Sequence, residues 1–199
     1  MTTINSLSAG KTSSYLSVNF PADIEIFSLV CIDDHNASGV LKKDKSILNY
    51  ANEKLEKFIP EYGEFRATAE DPTILYTMKS LEQKIGKEII WVRGKSFEDV
   101  IKKAKAIPNS QKRFCTTEMK LRPIFEYCFL RTQLPVKMRL GYRYDEIERM
   151  EKATTRFKFP FSCKNYGQGR QNHKTIEWRI NNFPLIENKI NHFHIQSFW

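Results

Sequence analysis

The chain has 199 residues, 41% of them apolar, and a net charge of +9, enough to build one substantial core and, by default, one domain. No apolar run reaches the length of a membrane span, and the N-terminus lacks the basic-then-apolar pattern of a secretory signal, so the composition predicts a cytoplasmic protein with no membrane partner. Four cysteines, Cys31, Cys115, Cys128 and Cys163, are too scattered for a disulfide framework and form no C-x-x-C pair, which argues against a zinc site or an iron–sulfur cluster.

A short strand near Ile4 to Leu7 runs into SLSAGKTSSYLS, out of which a helix begins near Thr12. DIEIFSLVCID is an almost continuous β-branched and aromatic run ending at Asp33, the pattern of a parallel strand buried on both faces. After a polar connection, Ile47, Leu48, Ala51, Leu55, Phe58 and Ile59 share one helical stripe, which Pro60 and Gly63 close. EFRATAED reads as a third strand, and Pro72 opens a helix that runs to Ile85 and stops at Gly86. EIIWV is the fourth strand, Phe97 to Lys105 another helix, Pro123 starts a helix through Cys128 to Leu130, and VKMRLGY is the fifth strand.

Strands alternating with helices predict an α/β fold, a three-layer sandwich around a five-stranded, mostly parallel sheet. After Arg149 the periodicity fades. Residues 151–199 are expected to be an irregular, basic and aromatic extension packed on a domain of residues 1–150, and the apolar ending HIQSFW leaves open whether the chain continues. Among His35, His173, His192 and His194 only the last two lie close together, and an H-x-H pair near a chain end reads as surface.

The charge is uneven. Residues 101–180 carry 19 Lys or Arg against 7 Asp or Glu, and the remainder 13 against 16. A basic second half suggests an anionic partner, either a nucleotide's phosphates or a nucleic-acid backbone, with general solubility as the plainer reading.

In an α/β sheet the turn from the first strand to the first helix is where phosphates bind, because the helix's free N–H groups and dipole point at the ligand. SAGKTSS supplies a glycine for close backbone approach, Lys11 for charge and hydroxyls as donors. A Walker loop would need a glycine five residues before Gly10, where Asn5 stands, although FSLVCIDD imitates the apolar strand ending in aspartate that holds magnesium in such enzymes. An ordinary polar helix cap is the third reading.

The shorter pattern resembles the pyrophosphate-binding loop S-G-G-[KDT]-[DT]-S of the adenine nucleotide alpha-hydrolase superfamily, which includes ATP pyrophosphatases and PAPS (3′-phosphoadenylyl sulfate) reductases. Ser8, Gly10, Lys11, Thr12 and Ser13 match, while Ala9 replaces the usual first glycine. KRFCTTEMKLRPIFEY resembles the R-x-C-T-x-x-x-K-x-x-P segment of PAPS-reductase-like proteins of phages and prophages. MRLGYRYDEIERM resembles their G-x-R-x-D-E-x-x-R motif, and Thr68, Glu70 and Thr73 resemble T-x-x-E-x-x-T-L. WRINNFPLIENKI is more faintly similar to the W-R-x-x-x-F-P-L-I segment of phage members. A basic turn before Pro123, and an i,i+4 ion pair between Asp145 and Arg149, are the bland readings of the second and third segments.

The resemblance implies a nucleotide, ATP or PAPS, lying across the carboxyl edge of the sheet. Ser8, Gly10, Lys11, Thr12 and Ser13 would hold its phosphates, with Arg113, Lys120, Arg143 and Arg149 neutralising phosphate or sulfate oxygens. Lys11 and Arg143 would carry the catalytic charge neutralisation, Asp33 and Glu70 would meet the adenosine, and Asp145 or Glu146 would orient the arginines or hold a metal, with Mg2+ as the ion. The catalytic cysteine of true reductases, in E-C-G-[IL]-H, has no counterpart after Cys163. The expected reaction is therefore adenylylation with pyrophosphate release, serving sulfur transfer, and not autonomous sulfate reduction. A degenerate member binding nucleic acid or protein is the alternative. Nucleic acid, a sulfur-donor protein and a second copy of the chain stand as candidate partners. Cys115 reads as structural in preference to reactive, and Cys31 as core.

Overall fold

The computed structural model describes residues 1–34, 44–68, 70–109, 112–161 and 172–199. His35 with the polar connection after Asp34, Ala69 and Cys163 lie outside the described residues. The first half of the chain forms β1 (Thr3–Leu7), α1 (Lys11–Asn19), β2 (Ile24–Leu29), β3 (Cys31–Ile32), α2 (Lys45–Phe58), β4 (Ala67–Thr68), α3 (Thr73–Ile85), β5 (Ile89–Arg93) and α4 (Phe97–Ala104). The second half starts with one continuous helical run: α5 (Phe114–Thr116), a π-helical turn (Thr117–Leu121) and α6 (Arg122–Arg131). Then come β6 (Val136–Leu140), a 3-10 turn (Tyr144–Glu146), α7 (Ile147–Glu151), the antiparallel pair β7 (Arg156–Phe161) and β8 (Asn172–Glu177), β9 (Arg179–Asn182), α8 (Pro184–Glu187) and α9 (His192–Phe198).

Five strands form an all-parallel sheet in the order β5-β2-β1-β6-β9. From the central β1 the chain moves outward through β2 to β5, then returns to the other flank of β1 as β6 and ends at β9. The order therefore reverses between β1 and β6. In an open parallel sheet that reversal opens a crevice beyond the carboxyl ends of the two strands.

Alternate residues of each strand serve opposite faces. Phe27, Leu29, Ile89 and Trp91 pack with Ile47, Ala51 and Leu55 of α2 and with Leu75, Met78 and Leu81 of α3. Ile4, Ile26, Val92, Val136 and Met138 pack with Ile124, Phe125 and Cys128 of α6. Local chemistry fixes the helix ends. Asp44 caps α2 by accepting from the Ser46 and Ile47 amides, and Ser96 caps α4 by accepting from Asp99, each satisfying amides that no helical carbonyl reaches. Gly86 ends α3 in the left-handed region at φ 62°, where a side chain would be strained.

The fivefold strand count agrees with expectation, but the membership differs. DIEIFSLVCID is interrupted at Val30, and Cys31–Ile32 turns away to pair antiparallel with Ala67–Thr68. Since β2 is already flanked by β1 and β5, EFRATAED contributes a two-residue strand to this outlying pair instead of a third sheet strand. The fifth sheet strand is β9, from the segment expected to be irregular. Trp178, just before β9, is 1% exposed and meets Phe125 edge-on at 5.7 Å. Truncating such a tryptophan costs about 3–5 kcal/mol, so sheet and core both extend past residue 150. Pro123 does not start its helix, which begins at Phe114; Pro123 lies in the first turn of α6, after the π-helical turn. Among the described residues no helix is long and apolar enough to cross a membrane.

Candidate functional site

The loop between β1 and α1 is three residues long, Ser8 to Gly10. Asn5 lies inside β1, where its Nδ2 donates to Phe20 O at 2.9 Å and Glu25 Oε1 at 2.8 Å, so the eight-residue Walker loop that would start at Asn5 is not formed. Ala9 adopts φ 59°, the left-handed conformation that explains why a glycine would suit this position. Gly10 is the N-cap of α1 without any side-chain cap, leaving the first-turn amides of Lys11, Thr12 and Ser13 without helical acceptors. The Ser13 hydroxyl ties the turn together, accepting from Ser8 N at 3.1 Å and donating to Gly10 O at 3.1 Å.

Across the crevice, Gly141 follows β6 and lies against this turn. A Cβ built on Gly141 would be 3.3 Å from Ser13 Cα, so a side chain here would press on the first turn of α1. A cavity of about 320 Å³ opens between Gly141 and the turn. It is lined by loop residues Ser8 and Gly10 to Ser13 and by Gly141 to Arg143, with five cations, Lys11, Lys120, Arg143, Arg149 and Arg179, and one carboxylate, Glu146. Amides at a helix start, hydroxyls and an excess of cations in one recess are suited to an oxyanion.

Three of the five cations, Lys120, Arg143 and Arg149, are held in place by acidic partners. Arg143 forks onto Asp145, with Nε to Oδ1 at 3.1 Å and Nη2 to Oδ2 at 3.0 Å, and its Nη1 lies 3.5 Å from Thr12 Oγ1. This guanidinium holds the Asp145 carboxyl below the usual carboxylate range. Glu146 bridges the two arginines, pairing with Arg143 Nη1 at 3.5 Å and with Arg149 Nη1 at 2.5 Å, and Arg149 also sits 4.7 Å over the Tyr142 ring. Lys120, on the π-helical turn, pairs with Glu70. Lys11 Nζ donates to Gln196 Oε1 of α9 at 2.9 Å, while Trp199 Nε1 donates to Lys11 O at 3.1 Å.

Of the residues singled out from the sequence, Ser8, Gly10, Lys11, Thr12, Ser13, Lys120, Arg143 and Arg149 line one cavity. Arg113 does not: it is exposed at the N-cap of α5 and is not among the lining residues. Asp33 is also elsewhere, accepting from Ser96 Oγ at 2.8 Å and donating its amide to Glu98. Glu70 reaches the site through Lys120. Asp145 and Glu146 are engaged by arginines, as expected of orienting groups, and among the described residues no group of three His, Cys, Asp or Glu side chains is placed to hold a metal ion. Burial pushes the Cys31 and Cys128 thiols up to about 12, so both stay protonated; Cys115 packs against the cluster of Val30, Val100 and Met119. His192 and His194 lie exposed on α9.

Arg179 is the lining residue that sequence reasoning missed. The signal was the arginine of the W-R pattern, directly after Trp178 and at the first position of β9. A second recess of about 540 Å³ adjoins the loop on the other side of Lys11, between α1 and α3. Its lysine there, Lys84, is stacked 4.9 Å over both Phe198 and Trp199, so it offers an oxyanion less than the smaller cavity does.

No family model, no curated protein and no solved structure matches this chain.

Proposed function

We propose that the protein binds an adenine nucleotide, ATP or PAPS, with its phosphates in the cavity between the Ser8–Ser13 turn and Gly141–Arg143, and that it is a PAPS-reductase-like member of the adenine nucleotide alpha-hydrolase superfamily. In this reading the helices on the two faces of the sheet make a three-layer sandwich, residues 1–150 supply the nucleotide-binding unit, and residues 151–199 complete it. The observation that carries the reading is the position of the cavity. It lies where the strand order reverses between β1 and β6, and it gathers the uncapped start of α1 with Lys11, Lys120, Arg143 and Arg149.

The chemistry that follows is attack by an acceptor oxygen on the α-phosphorus of ATP, with pyrophosphate as the leaving group and sulfur transfer as the purpose. The amides of Lys11 to Ser13 and the Lys11 and Arg143 cations take up charge as pyrophosphate departs, so positioning and electrostatics supply the rate enhancement. Mg2+ would enter with the triphosphate; both Glu146 oxygens face arginines, so the protein's own part is to place cations around the chain of phosphates. Calorimetric titration with ATP and with PAPS, on wild type and Lys11→Ala, tests the reading, and product analysis tests the reaction. Equal affinities in the two proteins would remove the loop from the account.

The second reading is a catalytically inactive binding module, whose basic residues 101–180 contact nucleic acid or a protein. The engagement of Lys11 by Gln196 favours it, because the lysine is occupied before any nucleotide arrives. Nucleic-acid binding with a steep salt dependence and no pyrophosphate release from ATP would decide for it.

A further inference from the structure

Arg179 is 4% exposed, yet it has no carboxylate partner among the described residues. Its Nε and Nη2 donate to Thr154 O at 3.0 and 2.9 Å, and its Nη1 contacts Met138 Sδ at 3.2 Å. The Trp178 ring lies 4.9 Å from the guanidinium carbon, and Tyr142 and Cys128 are close enough to favour its charged form. A guanidinium has five N–H groups, so one hydrogen on each Nη is left with no acceptor among the described residues. Burial lowers the pKa to about 10, still far above neutrality, so the group is cationic. Taking an ion out of water without a counter-charge costs several kcal/mol. A ligand that supplies the missing charge would offset that cost, and Arg179 lines the cavity that the loop opens into.

Its place within that cavity separates it from the loop cations. Met138 lies two residues back along β6 from Leu140, and β6 runs parallel to β1 with Ser6 opposite Leu140. The guanidinium touches the side chain of Met138, two residues before the end of β6, whereas the α1 amides and Arg143 come after the ends of β1 and β6.

We infer that Arg179 binds a second oxyanion of the sulfate or phosphate class, at the inner end of the cavity, distinct from the group held on the Ser8–Ser13 turn. The inference rests on the proposed loop site for its first anion, and it deepens that reading: the ligand, or ligand plus acceptor, carries anionic groups at two separated points. A planar guanidinium with spare N–H groups on both Nη atoms suits a tetrahedral oxyanion in a way that a lysine does not reproduce.

The test titrates inorganic sulfate, inorganic pyrophosphate and ATP into wild type, Arg179→Gln, Arg179→Lys and Lys11→Ala, with thermal unfolding to verify that each variant folds. Arg179→Gln keeps a donor for Thr154 O while removing the charge, and Arg179→Lys keeps the charge while removing the fork. The expected result is two sulfate ions per wild-type chain and one in Arg179→Gln, with the inner site weakened at least tenfold in Arg179→Gln and several-fold in Arg179→Lys. Sulfate stoichiometry and affinity unchanged in both Arg179 variants overturn the inference, and a Lys11→Ala defect in the same experiment leaves the loop reading standing. Loss in the Arg179 variants without loss in Lys11→Ala does the reverse. The ATP arm identifies the source: affinity that falls with sulfate binding in Arg179→Gln places the second anion on the nucleotide, and unchanged ATP affinity places it on a separate acceptor.

Discussion

Gly141 is packed against Ser13 so tightly that a Cβ on the glycine would stand 3.3 Å from the serine's Cα. The contact sets the end of β6 against the first turn of α1, beside the point where the strand order reverses, so it sets the width of the crevice. Gly141→Ala should act on binding more than on stability. The alanine gains about 0.4–1 kcal/mol by restricting the unfolded chain, while displacing the Ser13 backbone by a few tenths of an ångström costs a similar amount. Unfolding free energy should stay within about 1 kcal/mol of wild type while pyrophosphate affinity falls about tenfold, or about 1.4 kcal/mol. Paired denaturant and calorimetric measurements check this, and an unchanged affinity would mean that the width of the crevice does not matter.

Gly94, just after β5, presents the harder case. A Cβ there would be 2.4 Å from Glu118 O in the π-helical turn, a backbone atom that cannot swing aside. That turn carries Lys120 into the cavity. Gly94→Ala should therefore destabilise by about 1–3 kcal/mol, as overpacking does, with the loss read as a lower urea midpoint at unchanged slope. A variant as stable as wild type would show that the turn is free to shift.

The sequence revealed the elements whose pattern is local. Ser8 to Ser13 combine small residues, hydroxyls and one lysine directly before a helix, and Gly141 with Arg143 stands directly after a strand, so both ends of the crevice could be read from a few letters. Arg113 stands outside the cavity lining, because a basic residue near a matched pattern says nothing about which way the chain turns at Phe114. EFRATAED has good β-forming residues, but strand membership depends on which sheet edges are vacant, a non-local property. β9 was missed for the opposite reason: four residues, Arg179 to Asn182, with two asparagines give no alternation, and only pairing with β6 makes them a strand. Arg179, though the fixed arginine of the W-R pattern, was given no role, since burial of a charge is visible only once the fold is known.

Glu25 offers a pH test of the packing beneath the loop. It is 1% exposed, accepting from Asn5 Nδ2 at 2.8 Å and Ala22 N at 3.3 Å through Oε1, while Oε2 has no partner. Burial raises its pKa above 4.5, and the polar neighbours Ser17, Asn5 and Ala22, with the Lys87 charge, only partly oppose that. A carboxyl with a raised folded-state pKa contributes stability that is fully present below about 4.5 and is lost as pH rises through the folded value. Glu25→Gln keeps the acceptor, removes the charge, and brings an NH2 group toward the unpartnered Ser17 Oγ or Asn5 Oδ1. The variant should match wild type near pH 4 and be equally or more stable at pH 7, the gap widening upward from pH 4.5. Melting temperatures across that range decide it; a variant clearly less stable at pH 7 would mean that the ionised carboxylate is the favoured form.

The α9 segment holds both sides of the crevice at once. Gln196 accepts from Lys11 Nζ at 2.9 Å, and the His192 amide donates to Asp145 Oδ1 at 3.2 Å, on the carboxylate that orients Arg143. A phosphate must draw Lys11 away from Gln196 or share it. A hydrogen bond of this kind contributes about 0.5–1.5 kcal/mol net, so Gln196→Ala, which frees the ammonium, should raise pyrophosphate affinity by about two- to tenfold. The same variant in a Lys11→Ala background should show no gain, because the released group is absent. Calorimetric titration of the single and double variants measures the coupling. If Gln196→Ala instead weakens binding, Gln196 is itself a ligand-positioning group, and α9 belongs to the binding surface instead of competing with it.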